Sequence, residues 1–234
     1  MDGLAMLALQ QIDSTLDQIV HRRTRLEQLV VRAAAATALA EVRSGLDAAQ
    51  RRAAEAQQVV DAAEAEGAEL GRKRARLEAQ LKTVIAPREA EALMHEIATI
   101  ESHRSDVDDR ELEALERQAE GEQITAEMQG RLPMLEADLA EADAALRAAN
   151  AELDAEASEL RRQRDVASAS LTAADIDLYD RARKQFGGVA VARLDGLRCG
   201  GCHLDISRGE VDALRALPPD EPGECPQCGR FLVR

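Results

Sequence analysis

The sequence is nearly devoid of aromatic residues. It contains no Trp, one Tyr and two Phe, and all three lie at or beyond Tyr179. Because aromatic side chains supply much of the bulk of a globular core, the long region before Tyr179 is not expected to form an ordinary globular domain. That region consists mainly of Ala, Leu, Glu, Arg, Asp and Gln, which favour long helices and coiled coils.

Long apolar runs are also missing. No stretch approaches the ~18 consecutive apolar residues that indicate a membrane-spanning helix. The N-terminus has Asp2 and no basic region, so it does not resemble an export signal. We therefore expect a cytoplasmic protein that neither spans nor binds a membrane.

The sequence lacks the common catalytic motifs as well. It contains no G-x-S-x-G, P-loop or H-E-x-x-H pattern. Three of its histidines, His21, His95 and His103, fall at helical positions without a companion nucleophile. These absences predict that the protein is not an enzyme, has no catalytic residues and binds no small-molecule substrate.

Cysteine is confined to two tight pairs near the C-terminus, Cys199/Cys202 and Cys225/Cys228. Two C-x-x-C pairs separated by a short insert can place four thiolates at the corners of a tetrahedron, the geometry of structural zinc. A disulfide pair or a redox C-x-x-C are the alternatives, and the doubled motif and the missing secretion signal weaken both. His203 could replace one thiolate, but four cysteines already saturate a tetrahedral site. The sequence therefore predicts one structural Zn²⁺, bound by all four cysteines.

Apolar and small residues repeat in steps of three and four over most of residues 1–170. This average spacing of 3.5 residues is typical of the seam of a supercoiled helix pair. The pattern runs over residues 39–84, restarts over 93–100 and continues over 128–160. Upstream it includes Ile12, Leu16, Ile19, Arg23, Leu26 and Val30, and its phase shifts near the alanine run 33–36. We expect these apolar stripes to form the packed core between the two helices.

The chain is expected to reverse direction near residues 84–88. Pro87 cannot continue a helix but fits the first turn of a new one, and it lies in the middle of residues 1–170. Gly130 and Pro133 in the second arm, with Gly45 at the same height in the first, predict a kink. The predicted fold class is mostly α: a long kinked antiparallel coiled-coil hairpin over residues 1–170, followed by a small C-terminal zinc ribbon.

A short connecting helix is expected within residues 171–188. Thr172 and Asp175 have the spacing of a capping box that would open it. Its two aromatic residues, Tyr179 and Phe186, are expected to pack the metal domain against the helical rod.

Residues 189–234 are expected to form the C4 zinc ribbon. An edge strand around Val191 leads to Cys199, and Phe231 opens a closing strand. Between the cysteine pairs, Ser207 and Glu210 form a second capping box and predict a helical insert.

In the order of these parts the sequence resembles the bacterial C4-type zinc-ribbon coiled-coil proteins. The resemblance rests on residues 87–93, on Tyr179 and Arg181 before Gly187-Gly188, and on the two cysteine pairs, and it covers the whole chain. It implies a hooked helical hairpin with a zinc ribbon. Characterised relatives include a flagellar regulator that chaperones an alternative sigma factor and binds messenger RNA. The alanine- and arginine-rich composition is similar to that of actinobacterial members.

The charge balance opposes nonspecific binding to nucleic acid. The formal net charge is −14, and an acidic chain needs a local basic patch to bind phosphates. Two basic clusters are the best candidates for a surface that contacts nucleic acid or another partner, and they could form one surface: Arg161, Arg162 and Arg164, and Arg181, Arg183 and Lys184.

We therefore expect a non-enzymatic interaction protein, acting as an adaptor, chaperone or regulator, whose rod and zinc ribbon bind a protein partner. The alternative is an RNA- or DNA-binding regulatory protein that uses the ribbon and the adjoining arginines. A redox switch is the third hypothesis.

Overall fold

The computed structural model describes residues 2–218 and 221–234. Three long helices come first: α1 spans Gly3–Arg23, α2 spans Glu27–Leu81 and α3 spans Pro87–Ser168. The shorter elements that follow are α4 (Ala173–Gln185), β1 (Val191–Asp195), β2 (Arg198–Cys199), α5 (Arg208–Ala216), β3 (Gly223–Glu224) and β4 (Phe231–Val233). The chain divides into two compact units, a hairpin unit of residues 32–142 and a ribbon unit of residues 1–31 and 143–234.

In the hairpin unit, α2 and α3 pack against each other in opposite directions. The chain reverses over residues 82–86, and Pro87 is the first residue of α3, where its missing N–H costs no helical hydrogen bond. Heptad positions of both helices are buried along the seam: Leu39, Val42, Ala49, Ala56, Val60, Ala63, Leu77, Ile100, Val107, Ala114 and Ala142. The expected antiparallel coiled-coil hairpin is confirmed.

Exposed ion pairs follow the same register. Arg43 contacts Glu136 at 2.7 Å, Glu66 contacts Arg110 at 2.6 Å, and Arg74 contacts Glu101 at 3.4 Å. Each pair joins residues nearly equidistant from the turn. Water screens such exposed pairs, so each stabilises the fold only weakly, and the apolar seam supplies most of the stabilisation.

The first arm contains a break that was not predicted from the sequence. Helix α1 ends at Arg23 and α2 begins at Glu27, whereas α2 and α3 continue through Gly45 and Pro133. The position of the kink near those two residues stays a prediction. Val30 was expected in the seam but is 71% exposed. That expectation is wrong, because the heptad phase changes at the break and not at the alanine run.

The ribbon unit has a core built from four elements. Tyr179 of α4 is fully buried with Met6 and Leu9 of α1, Val191 of β1 and Phe231 of β4, and Phe186 packs against this cluster. The expected role of the two aromatic residues is confirmed. The part that α1 takes in this core was not expected, because Met6 and Leu9 precede the recognisable heptads.

A four-stranded sheet with the order β2-β1-β4-β3 forms the ribbon. Strands β1 and β4 are parallel, and the two outer pairs are antiparallel. Strand β1 is therefore an inner strand and not the expected edge strand, since the two-residue strand β2 was too short to recognise. Helix α5 covers this sheet with Val211 and Leu214.

Both predicted helix starts are present. The Thr172 hydroxyl accepts a hydrogen bond from the Asp175 N–H at 3.2 Å. Ser207 and Glu210 form a reciprocal capping box, with distances of 3.3 and 3.0 Å. Among the described residues, no helix combines the length and apolar character that crossing a bilayer requires.

Candidate functional site

The four cysteines converge on one point. Their Sγ atoms all lie within 4.8 Å of one another, and Cys202 Sγ is 4.0 Å from Cys225 Sγ. Zinc–thiolate bonds of about 2.3 Å place the sulfurs of a tetrahedral site about 3.8 Å apart. The tetrad therefore fits a single zinc ion, and none of the four cysteines forms a disulfide.

Two equivalent turns hold the thiols. In each, the residue after the second cysteine donates its N–H to the carbonyl of the first: His203 to Cys199 and Gly229 to Cys225, both at 2.8 Å. The φ angles of His203 and Gly229 are 61° and 72°. Glycine adopts this left-handed region at no cost, so Gly229 was recognisable from the sequence. His203 was not, although histidine is among the residues enriched there.

The backbone also contacts sulfur directly. The Gly201 N–H donates to Cys199 Sγ at 3.4 Å, whereas the Gly200 N–H donates to the Arg193 carbonyl at 2.9 Å. His203 is exposed, and among residues 2–218 and 221–234 the metal-binding cluster consists of the four cysteines. The structure therefore places His203 in the turn and not in the ligand set.

In the absence of a metal, the thiols of Cys225 and Cys228 differ in acidity. Burial raises the pKa of Cys225 to about 12. Burial also opposes ionisation of Cys228, but hydrogen bonds from the backbone and side chain of Arg230 lower its pKa to about 7. A bound divalent cation stabilises thiolates, so zinc would offset the electrostatic cost of ionising the buried Cys225.

Arg230 is a residue of the site that sequence analysis missed. Its guanidinium donates to the carbonyls of Val189 at 2.8 Å and Phe186 at 2.9 Å, and it lies 5.3 Å from the centre of the Phe186 ring. It thereby joins the second cysteine turn to the end of α4. Its position directly after the C-x-x-C-G pattern was the only available signal.

A buried polar cluster lies on α1. Asp13 is 2% exposed and accepts hydrogen bonds from Arg164 Nε at 2.8 Å and from the Tyr179 hydroxyl at 2.9 Å. The hydrogen bond to Asp13 raises the pKa of Arg164. Arg183 donates to the Asp13 backbone carbonyl at 3.3 Å and to Asp17 at 2.6 Å. This cluster fixes α4 and the end of α3 on α1.

The six basic residues predicted to contact a partner are therefore not equivalent. Arg164 and Arg183 are only about a quarter exposed and serve the buried cluster. Arg162 is exposed and pairs with Glu159. Arg161, Arg181 and Lys184 are also exposed. A contact of these residues with a partner stays a prediction, and only four of the six have side chains available for it.

Two family models match this arrangement. Residues 9–187 match the CT398-like coiled coil hairpin domain, and residues 198–232 match the C4-type zinc ribbon domain. The chain belongs to the CT398-like coiled-coil hairpin family. The second match and the geometry of the cysteines together identify the tetrad as the site of one structural zinc.

Similar family members come from mycobacteria, as the actinobacterial resemblance implied. An uncharacterized Mycobacterium tuberculosis protein, Rv2229c, is 38% identical over 236 residues, covering 98% of this chain and 94% of the relative. A solved structure from Mycobacterium smegmatis is 25% identical, with a TM-score of 0.81 and coverage of 100% of this chain and 99% of that one.

The fold extends to more distant bacteria. The structure of CT398 from Chlamydia trachomatis has a TM-score of 0.83 at 18% identity, covering 98% of this chain and 96% of that chain. At this identity the likeness shows the shared fold. The family descriptions name a coiled-coil hairpin and a zinc ribbon, which is the architecture of an interaction or binding protein.

Proposed function

We propose that the protein is a non-enzymatic adaptor, chaperone or regulator that binds a protein partner through its helical hairpin and zinc ribbon. The observation that supports this best is a run of exposed aliphatic side chains in the ribbon unit. Leu29 is 38% exposed, Val30 is 71% exposed and Val31 is 53% exposed. We call these three residues the aliphatic segment.

The aliphatic segment follows directly from the break between α1 and α2. A heptad repeat leaves the three residues between positions d and a outside the seam, and in coiled coils these positions are commonly polar or charged. At the start of α2 the seam position is Gln28, which is half-buried, so the next three residues stay exposed. A groove beside them combines apolar residues such as Leu26 and Leu153 with charged ones such as Arg22 and Glu152. Exposed apolar side chains rimmed by polar and charged groups are typical of protein-binding sites.

Electrostatics also favours a protein over a nucleic acid. Binding to phosphates requires basic side chains that are free to neutralise them. The buried Asp13 cluster occupies Arg164 and Arg183, so the predicted basic surface retains four exposed residues on a chain with a net charge of −14. Long-range repulsion by this charge slows the approach of a polyanion.

The test is affinity purification from cells of the natural source, with and without nuclease, using three versions of the full chain. The first is the natural protein. The second replaces Leu29, Val30 and Val31 with Gln, which preserves helix propensity and removes the apolar surface. The third is a matched control that replaces three exposed apolar residues of the hairpin unit, Met94, Leu112 and Met134, with Gln.

We expect the natural protein and the control to capture a partner protein that stays bound after nuclease treatment. The Leu29/Val30/Val31 variant should not capture it. A further variant, in which Gln replaces Arg161, Arg162, Arg181 and Lys184, separates the two partner classes. If nuclease releases everything captured, and if this variant alone loses binding, the partner is nucleic acid and the proposal is wrong.

A further inference from the structure

The hairpin unit contains a groove between α2 and α3 that the proposed function does not use. Its apolar part consists of Ala56, Val59, Gly121 and Ile124, and charged residues stand beside them. Val59 is 38% exposed. The full lining is Arg52, Glu55, Ala56, Val59, Arg117, Glu120, Gly121 and Ile124.

The groove exists because the two helices approach very closely there. A Cβ atom added to Gly121 would lie 3.0 Å from the Ala53 Cβ and 3.2 Å from both the Ala49 carbonyl oxygen and the Ala53 nitrogen. A side chain at this position would require Ala53 or the α2 backbone to shift by a few tenths of an ångström. The seam is therefore built from Ala and Gly at this height, and these small residues do not fill the surface between the helices.

The charged side chains that line the groove differ from those on either side of it. On either side of it, exposed charges pair across the helices, as Arg43 does with Glu136 and Glu66 with Arg110. Within the part of the chain that the structure describes, none of the four groove charges forms an ion pair. Arg52 Nε and Arg117 Nε instead donate to the carbonyls of their own helices, at 3.4 and 3.2 Å. We call Arg52, Glu55, Arg117 and Glu120 the groove charges.

The groove charges have a self-complementary order. Along α2, Arg52 comes one turn before Glu55, and along α3, Arg117 comes one turn before Glu120. Because the helices are antiparallel, the end of the groove nearer the 82–86 turn has Glu55 and Arg117, and the other end has Arg52 and Glu120. Consider two copies whose grooves face each other and which are related by a two-fold axis parallel to the helices. Helix α2 of one copy then lies opposite helix α3 of the other. This arrangement places Arg52 of one copy opposite Glu120 of the other, and Arg117 opposite Glu55.

We propose that this groove is a homotypic docking surface that binds the same groove of a second copy of the chain. A partner of uniform charge would meet repulsion from two of the four groove charges. A second copy offers an opposite charge to each of them and covers the exposed side of Val59 with apolar surface. Charge complementarity of this kind sets the specificity and register of an interface, and two-fold pairing of one surface with itself is the commonest way in which proteins form dimers.

The test uses two charge-reversed variants of the full chain. The acidic variant, Arg52→Glu with Arg117→Glu, makes all four groove charges negative. The basic variant, Glu55→Arg with Glu120→Arg, makes all four positive. The matched control, Arg51→Glu with Arg131→Glu, has the same change in net charge as the acidic variant and replaces exposed residues outside the groove.

Sedimentation velocity at about 100 μM chain, above the Kd expected of a specific interface, should show a dimer for the natural protein and the control. Each groove variant alone should have a dissociation constant at least about tenfold higher, because every intermolecular charge pair becomes repulsive. An equimolar mixture of the two variants should restore the dimer as a mixed species. Circular dichroism of each variant checks that the helices remain folded.

The proposal is overturned if the natural protein is a monomer at this concentration, if the control loses the dimer as the groove variants do, or if the mixture does not associate. If the circular dichroism spectrum of a groove variant matches that of the natural protein, loss of its dimer reflects the charge change and not unfolding. Rescue by mixing excludes simple misfolding, because two misfolded variants cannot restore each other's interface.

Discussion

The ribbon unit and the hairpin unit are stabilised by different kinds of residue. The ribbon unit depends on contacts that each occur once: the cysteine tetrad, the buried Asp13 cluster and the aromatic core around Tyr179. The hairpin unit repeats one contact along a seam of Ala, Val, Leu and Ile, with ion pairs on its surface. Loss of one unique contact should therefore lower the free energy of unfolding more than loss of one repeated contact.

The largest effect is expected from the metal site. Replacing Cys225 with Ser should abolish zinc binding and unfold the ribbon, because the free energy of metal binding, about 10–16 kcal/mol in small zinc domains, is also folding free energy. Metal analysis should give one zinc per natural chain and none in the variant. The control is Gln227→Ser, within the same C-x-x-C pair, which should retain zinc. Full zinc in the Cys225→Ser protein would show that the ligand set is wrong.

The next largest effect concerns Asp13. Asp13→Ala leaves Arg164 and the Tyr179 hydroxyl without their buried carboxylate acceptor, and we expect it to lower the free energy of unfolding of the ribbon unit by about 3–5 kcal/mol. The matched control is Asp17→Ala, which removes a half-exposed carboxylate from Arg183 and should cost about 1 kcal/mol or less. Denaturant unfolding measures both. Equal effects of the two substitutions would contradict the role assigned to the buried cluster.

A smaller effect is expected in the hairpin seam. Val107 is fully buried, and Val107→Ala should cost about 1–3 kcal/mol through lost burial and a residual cavity. Leu112→Ala, at a position 58% exposed, is the control and should be nearly neutral. Hydrogen exchange should locate the loss of protection in the hairpin unit. If the substitution loosens the ribbon by the same amount, the two units are not stabilised separately.

The smallest effect is expected at His203. Because His203 has a φ of 61° and glycine adopts that region without strain, His203→Gly should be neutral or stabilise the ribbon by up to about 1 kcal/mol. The variant should also keep its zinc. Thermal unfolding and metal analysis test both statements, and loss of zinc would make His203 a ligand after all.

The same difference between the two units decides which features could be predicted from the sequence. The hairpin and the cysteine site are encoded by local patterns, a repeated spacing and a doubled C-x-x-C, so both were recognised. Asp13, Arg164 and Arg230 act through contacts between residues far apart in the chain. Their local sequence resembles that of any charged helix face or turn. The break at residues 24–26 was missed because it contains neither Pro nor Gly.

Hydrogen exchange before and after removal of the metal by a chelator tests most directly whether zinc stabilises a ribbon that folds separately from the hairpin. We expect residues 191–218 and 221–234 to lose protection on chelation, together with part of α1 around Met6 and Leu9, which share the Tyr179 core. The seam of the hairpin unit, from Leu39 to Leu77 and from Ile100 to Ala142, should keep its protection. Loss of protection throughout the chain, or no loss in the ribbon, would contradict this account.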